Sequence, residues 1–394
     1  MVSSDYYVND SSTIEERNLL IAKEQYQQGK YSEALKIYLG MLNTSMSYEL
    51  YLEIGKCYYK LNDFMKAEEY LKKSLSLEDG YNQSYLFLGN IYFKRNRTDE
   101  AIEYWSEAFA RYPDEEAVCL NLATSYFSKK MKFQSFYYYE RYLKYAKVAN
   151  DSYNTIKSSI DKCYEAGNEF YEKGKRANSN NNKDEAIEYL TYATKHIPTS
   201  FDINHLLGKI YLEKQDYMHA LIYLKQAFCI DFRSLDVLQE LSQVYVSLGD
   251  YTATYCTLRR LLPLVMHNQK EYLNTMRLIQ ELKQTFDKYS YQGHLEWGKN
   301  YDREKNYHMA LIEYENSLIL QDNIQEDTIN SRIAKLKTFI SPESRIIKSC
   351  IERGSDSFKN KDFKTSNHYF SRVMRMADKH TSEYKMAKSR VTNV

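Results

Sequence analysis

The sequence predicts an all-α protein in which helical hairpins stack into a superhelix (an α-solenoid), with extra inserted helices in the C-terminal part. Three observations predict this fold class. The 394 residues include only four prolines and 12 glycines but 40 tyrosines, which suits long helices with broad, partly hydrated interfaces. Small residues recur every 34 positions, as expected of stacked helical hairpins. The recurrence is interrupted by lengths that match one additional helix.

Three classes of position carry the period. The first holds a small residue on the first helix of each hairpin, the second an aromatic residue one turn later, and the third a small residue on the second helix. On either side of one interruption, neighbouring members are 34 residues apart. The first class contains Gly55, Gly89, Ala123, Gly174, Gly208 and Ser242; the second Tyr58, Tyr92, Tyr126, Tyr211 and Tyr245; the third Ala67, Ala101, Ser135, Ala186, Ala220 and Thr254.

Each class has a packing reason. Glycine or alanine at the first position lets the two helices of a hairpin lie close together. The tyrosine is expected to fill the gap between hairpins. The second small residue lies where one hairpin meets the next, and a bulky side chain there would cost roughly 1–3 kcal/mol through overpacking.

The pattern resembles the tetratricopeptide repeat family. The resemblance rests on Leu88-Gly89-x-x-Tyr92, on Ala101-x-x-x-Trp105-x-x-Ala108 and on Pro113, and it extends over most of the chain. It implies nine helical hairpins, of which the first, fourth, seventh and ninth are degenerate. They begin near Glu15, Tyr48, Asn82, Glu116, Gly167, Phe201, Leu235, Tyr291 and Ile347.

Interruptions of the period predict where additional helices lie. The interval from Ala123 to Gly174 exceeds 34 by 17 residues, and those from Ser242 to Gly298 and from Gly298 to Gly354 each exceed it by 22. Either excess is the length of one helix with its turn. The predicted domains are therefore an N-terminal tail (1–14), a first array of four repeats (15–149), a linking helix (150–166), a second array of three repeats (167–265), and two further hairpins with extra helices and a capping helix (266–394).

Composition excludes several classes of function. The 54 basic and 53 acidic residues leave a net charge of +1, which argues against a general nucleic-acid-binding protein. The six cysteines are scattered and form no paired motif, as in a reducing compartment. Since neither a signal peptide nor a membrane-length apolar segment is recognisable, we expect a cytoplasmic protein without membrane insertion.

Catalytic chemistry is not indicated by any motif. Phosphate-binding glycine loops, nucleophile elbows and metal-ligand spacings are absent from the sequence. We therefore expect no catalytic residues, no metal site and no cofactor, and the protein is predicted not to be an enzyme.

The family resemblance also implies a partner-binding groove, because first helices line the concave face of such arrays. The groove positions are Leu52, Lys56, Tyr59, Leu86, Phe87, Asn90, Phe93, Lys94, Leu120, Asn121, Thr124 and Phe127. Asn90 and Asn121 match two groove asparagines with which related arrays hold an extended peptide backbone. Leu86 stands where the family's chaperone-tail clamp has a lysine, so a carboxylate clamp is not expected.

The predicted function is a non-catalytic scaffold or adaptor that binds a peptide segment or helix of another protein in its groove, alone or within a larger assembly. Exposed aromatic and aliphatic side chains in a groove favour such a partner. Two alternatives stay open: a peptide-sensing regulatory protein, and an accessory subunit of an enzyme. Self-association through the same groove is a further possibility.

Overall fold

The computed structural model describes residues 8–42, 46–77, 82–283, 290–320, 327–340, 342–377, 379 and 381–391. These residues form 21 α-helices and no strand, which confirms the predicted all-α class. The helices are α1 Val8–Gln27, α2 Tyr31–Met41, α3 Tyr48–Lys60, α4 Phe64–Leu77, α5 Asn82–Lys94, α6 Thr98–Arg111, α7 Glu116–Ser128, α8 Lys132–Tyr145, α9 Asp151–Ser179, α10 Lys183–His196, α11 Phe201–Glu213, α12 Tyr217–Ile230, α13 Leu235–Ser247, α14 Tyr251–Leu261, α15 Gln269–Leu282, α16 Ser290–Arg303, α17 Tyr307–Leu320, α18 Asp327–Ile340, α19 Glu343–Lys359, α20 Phe363–Met376 and α21 Ser382–Arg390.

Consecutive helices pair into nine hairpins in the described part of the chain. The pairs are α1–α2, α3–α4, α5–α6, α7–α8, α9–α10, α11–α12, α13–α14, α16–α17 and α19–α20. Three helices, α15, α18 and α21, belong to no hairpin, and α9 is lengthened to 29 residues. The extra helices predicted in the C-terminal part are thus present. Helix α1 begins at Val8, inside the segment predicted as a tail.

The small residues of the period lie where paired helices are closest. A Cβ atom built on Gly89 would come within 2.4 Å of Trp105 Cδ1, and one on Gly55 within 2.7 Å of Leu71 Cγ. Ala67 and Ala101, on the second helices, are fully buried. Large side chains of the second helix therefore use the space that each glycine leaves.

The periodic tyrosines join the two helices of their own hairpin. The Tyr92 ring stacks on Tyr104, with ring centroids 5.0 Å apart. The Tyr92 hydroxyl also donates to Glu68 of the preceding hairpin at 2.8 Å. One side chain thus packs within a hairpin and bonds to its neighbour, whereas the sequence predicted only the second of these roles.

A left-handed residue ends the first helix of every hairpin. The φ angle is positive at Gly29, Asn62, Asn96, Lys130, Asn181, Gln215, Gly249, Lys305 and Lys361. At Asn96, φ is 58° and the next amide, that of Arg97, donates to the Tyr92 carbonyl at 3.0 Å. This is the usual helix C-terminal turn, and it brings the second helix back against the first.

The chain divides into two compact units. Unit 1 comprises residues 1–114 and 342–394, and unit 2 comprises residues 115–341. Unit 1 therefore contains the first three hairpins together with the last one. The domain boundaries drawn from the repeat pattern stay a prediction.

Unit 2 contains contacts between hairpins far apart in the sequence. The Tyr126 hydroxyl of α7 donates to the Lys305 carbonyl at 3.0 Å, and Gln134 Nε2 of α8 donates to Asn306 Oδ1 at 3.0 Å. Lys305 and Asn306 form the turn between α16 and α17. The fourth and eighth hairpins therefore touch, and unit 2 closes on itself.

Candidate partner-binding surface

Helices α3 and α5 are the first helices of adjacent hairpins in unit 1. The α3 helix begins after Ser47, whose hydroxyl accepts from the Leu50 amide at 3.2 Å and so caps the first turn. A spacing of three residues places Lys56 and Tyr59 on one face of α3, and Asn90 and Phe93 on one face of α5. This is the part of unit 1 in which the sequence predicts a groove.

Aromatic side chains dominate the adjoining faces of α3 and α5. The Tyr59 and Phe87 rings meet edge to face with centroids 5.3 Å apart. Phe93 leaves 46% of its surface exposed, and the Lys94 ammonium lies 5.8 Å from the Tyr59 ring. We call Tyr59, Phe87, Asn90, Phe93 and Lys94 the α5 aromatic surface.

Trp105 supports this surface from beneath. Its side chain is 2% exposed and its ring centroid lies 5.6 Å from that of Phe93. Trp105 Nε1 donates to the Leu86 carbonyl and to Asn90 Oδ1, both at 3.2 Å. The amide oxygen of Asn90 thus accepts a bond from the core, whereas the sequence assigned this side chain to a peptide backbone.

The sequence contains a signal that could have revealed this support. Other hairpins hold Leu71, Leu190 and Leu224 against the glycine of their first helix, where this hairpin holds Trp105. A buried indole N–H needs an acceptor. Asn90 lies next to the glycine that Trp105 packs against, so it was a natural candidate for that acceptor.

Two predicted residues have other contacts. Leu52 is 1% exposed and lies in the core with Leu71 and Leu88, because α3 packs against both α4 and α5. Leu52 is therefore left out of the surface proposed below. Lys56 forms an ion pair with Glu53 at 2.8 Å and lies 5.1 Å from the Tyr26 ring, so part of its charge is already neutralised.

Leu86 is half-buried on α5, and the remaining four predicted residues belong to unit 2. Leu120, Asn121, Thr124 and Phe127 lie on α7, and the Phe127 side chain is 70% exposed. The Thr124 hydroxyl donates to the Leu120 carbonyl at 2.9 Å and to the Asn121 carbonyl at 3.1 Å. Phe127 is therefore the most prominent apolar group of this face.

Burial keeps two acidic groups near the α5 aromatic surface, Tyr59 and Cys57, in their neutral protonated form. Burial raises the pKa of the Tyr59 hydroxyl above its ordinary value, so it stays protonated at physiological pH. Burial likewise raises the pKa of the Cys57 thiol to about 12, and a protonated, buried thiol is a poor nucleophile.

The described residues contain neither a metal-binding cluster nor a membrane-spanning helix. No group of three or more His, Cys, Asp or Glu side chains could hold a metal ion there. Within the same ranges, no helix combines the length and apolar character needed to cross a bilayer.

Family comparison agrees with the hairpin geometry. Residues 52–116, which contain most of α3 together with α4, α5 and α6, match the model of the tetratricopeptide repeat. Residues 52–116 of this chain are therefore a tetratricopeptide repeat segment.

The solved structures that this chain matches have low sequence identity to it. The P58(IPK) TPR domain is 13% identical, with 87% of this chain and 97% of that chain covered at a TM-score of 0.37. MamA is 20% identical, with 45% and 95% covered at a TM-score of 0.29. The TPR2AB-domain:pHSP90-complex of yeast Sti1 is 13% identical, with 69% and 99% covered at a TM-score of 0.28. No curated protein matches the sequence.

Proposed function

We propose that this protein is a non-catalytic scaffold that binds a peptide segment or helix of another protein on the α5 aromatic surface. The observation that carries the proposal is the 46% exposure of Phe93, on the same helix as Phe87, whose ring contacts that of Tyr59. Aromatic residues in contact with water and with one another are typical of interface hot spots. Tetratricopeptide repeat proteins in general act as protein-interaction scaffolds.

The chemistry of the surface suggests what the partner offers. Phe93 and Phe87 provide apolar contact area, so the partner should insert apolar side chains between them. Lys94 lies at the edge of the rings and favours a carboxylate beside that apolar residue. Phe127 of α7 is proposed as a second, separate contact in unit 2.

A matched pair of variants tests the proposal. Phe93→Ser removes the exposed ring from α5, and Leu77→Ser removes a 54% exposed apolar side chain from α4 of the same unit. Each protein, with the wild type, is purified by affinity from the source cell, and co-purifying proteins are identified by mass spectrometry. We expect one partner to be lost with Phe93→Ser alone, since losing a buried phenyl ring costs about 1.5–3 kcal/mol, or tenfold or more in affinity.

Asn90 is deliberately kept in this experiment, because its replacement would remove the acceptor of the buried Trp105 indole. Helicity and melting temperature of the two variants should match those of the wild type. The same partners at the same yield in all three samples would rule out the α5 aromatic surface as the binding site. Partners reduced equally by both variants would point to a general loss of stability.

A further inference from the structure

Unit 1 contains a cavity lined by arginines, where the end of the segment that the family model matches meets the C-terminal helices. Its volume is about 530 Å³, and it lies between the C-terminal end of α6 and the helices α19 and α20. Four of its ten lining residues are arginines: Arg111, Arg345, Arg353 and Arg372. The other six are three tyrosines, an isoleucine, a serine and a cysteine, so the lining contains no acidic side chain.

Two of the arginines are held in place by the protein. Arg372 is 7% exposed at its side chain, and its Nη2 lies 2.8 Å from Asp114 Oδ1. The Arg372 guanidinium also lies 4.4 Å from the Tyr112 ring centroid. Arg345 Nη2 donates to the Ala110 carbonyl at 2.9 Å, at the last turn of α6. A ligand would therefore meet guanidinium groups whose orientation is already fixed.

Positive charge remains after these contacts. Asp114 is shared between Arg372 and Arg375, whose Nη2 lies 2.6 Å from Asp114 Oδ2, so one carboxylate faces two cations. Arg345 donates to a neutral carbonyl, and Arg353 hydrogen-bonds to the Tyr369 hydroxyl. Among the described residues, neither Arg345 nor Arg353 has a carboxylate within ion-pair distance.

The composition of the lining favours phosphate over other anions. A phosphate monoester carries close to two negative charges and three acceptor oxygens, which several guanidinium forks can bind at once. A carboxylate, by contrast, would bind to only one guanidinium group. The cavity also greatly exceeds the size of a phosphate group, and tyrosine rings form part of its wall.

We propose that the arginine-lined cavity of unit 1 binds a phosphate monoester attached to an organic body. Arg345 and Arg353 contact the phosphate oxygens, while Arg372 supplies fixed positive charge at the base of the cavity. Tyr112 and Tyr369 pack against the attached organic group. The proposal does not rest on the function proposed for the α5 aromatic surface.

The test is calorimetric titration of the full chain at constant, low ionic strength. The probes are phenyl phosphate, benzoate, AMP, and a phosphotyrosine hexapeptide with its unphosphorylated twin. The variants are Arg345→Gln and Arg353→Gln. Both residues are exposed, and replacing them leaves the Asp114–Arg372 pair intact. Lys348→Gln is the control, since it removes one exposed positive charge from the same helix outside the cavity lining.

We expect phenyl phosphate to bind at least tenfold more tightly than benzoate. Each arginine variant should weaken that binding about tenfold, the usual effect of one charge-assisted hydrogen bond, and Lys348→Gln should leave it unchanged. Tighter binding of AMP would identify a small organic phosphate as the ligand, and tighter binding of the hexapeptide a phosphorylated side chain.

Several results would overturn the proposal. The first is that no phosphorylated probe gives a heat of binding. The second is equal affinity for benzoate and phenyl phosphate. The third is an equal loss of affinity in Arg345→Gln, Arg353→Gln and Lys348→Gln. If Arg345→Gln lowers the melting temperature because α6 loses its contact at Ala110, Arg353→Gln decides the outcome alone.

Discussion

Gly89 and Trp105 form the tightest of the helix contacts made by the periodic glycines. The indole ring occupies the space of a missing Cβ atom, with Trp105 Cδ1 and Nε1 both 2.4 Å from where that atom would lie. The same ring supports Phe93 and donates to Asn90. One glycine therefore determines how far the indole can enter beneath the α5 aromatic surface.

Replacing Gly89 with alanine should destabilise unit 1. The added methyl group must displace a rigid indole, and such overpacking costs about 1–3 kcal/mol. Gly40→Ala is the control, because nothing lies within 4 Å of a Cβ built there. Gly40 lies in the exposed last turn of α2, where alanine should be neutral or gain at most about 0.5–1 kcal/mol. Urea unfolding of both variants measures the difference between their free energies of unfolding. Equal values would show that Trp105 can move aside without loss of stability.

The glycine contact follows from the repeat period alone, whereas the role of Trp105 follows only when an acceptor is sought for its buried indole N–H. Recurrence of Gly55, Gly89 and Gly208 at one period shows that helices approach closely at these residues. The period carries no information on which hydrogen-bond partner an indole selects. It also could not place Leu52, whose helical face is covered by α5.

At the scale of elements, α8 and α9 are joined through a carboxylate. Glu140 on α8 accepts from the Tyr164 hydroxyl on α9 and from Thr199 Oγ1, the latter at 3.1 Å. Burial raises the pKa of Glu140 above its ordinary value, although both hydrogen bonds and Arg141 oppose this. The charged form of Glu140 is thus less stable in the folded protein than in the unfolded chain.

Glu140→Gln should stabilise unit 2 at neutral pH. A group whose pKa is raised on folding contributes stability below its unfolded pKa, near 4.3, and loses that contribution as pH rises through the folded pKa. The variant should therefore gain about 1 kcal/mol at pH 7.5 and nothing near pH 4. Melting temperatures across this range check the prediction, with Glu165→Gln on the exposed side of α9 as control. A gain independent of pH would mean that ionisation of Glu140 is not its cause.

The hairpins were predictable from the sequence because their contacts are local. The contact that closes unit 2 was not predictable in this way. Gly208 and the Leu224 side chain beneath it belong to one repeat, and a periodic pattern records such pairs. Tyr126 and Lys305 are 179 residues apart, and no periodicity relates them. The extra helices α15 and α18 were indicated by the length of the interruptions and by apolar residues at helical spacing, neither of which identifies their packing partners.

For the whole molecule, the most distinctive feature is that unit 1 is assembled from two separated segments of chain. Asp114, at the end of the first segment, is 4% exposed at its side chain and bonds to Arg372 and Arg375 of the second. Burial alone would raise the pKa of Asp114, but its bonds to the two arginines lower it below the ordinary value.

Asp114→Asn should weaken the attachment of α19 and α20 to the rest of unit 1. Removing one partner of a buried ion pair costs about 3–5 kcal/mol, so hydrogen exchange in both helices should accelerate while α11–α14 of unit 2 stay protected. Because the pKa of Asp114 is lowered on folding, its contribution is complete above pH 4 and disappears as pH falls through the folded pKa. Asp356→Asn, at an exposed pair on α19, is the control.

Slow exchange of α19 and α20 in Asp114→Asn would show that other contacts hold the two segments together. Equal acceleration in α11–α14 would show instead that the variant unfolds the chain as a whole. Either result would remove Asp114 as the residue that joins the segments.

The divided composition of unit 1 has a consequence for biosynthesis. On the ribosome, residues 1–114 emerge before residues 115–341, and residues 342–394 emerge after them. All the residues of unit 2 are made in between, so that unit 2 can finish folding while α6 of the nascent chain still lacks Arg345, Arg372 and Arg375. Until translation reaches those arginines, Asp114 is a carboxylate without its partners, and unit 1 becomes complete only with the final helices.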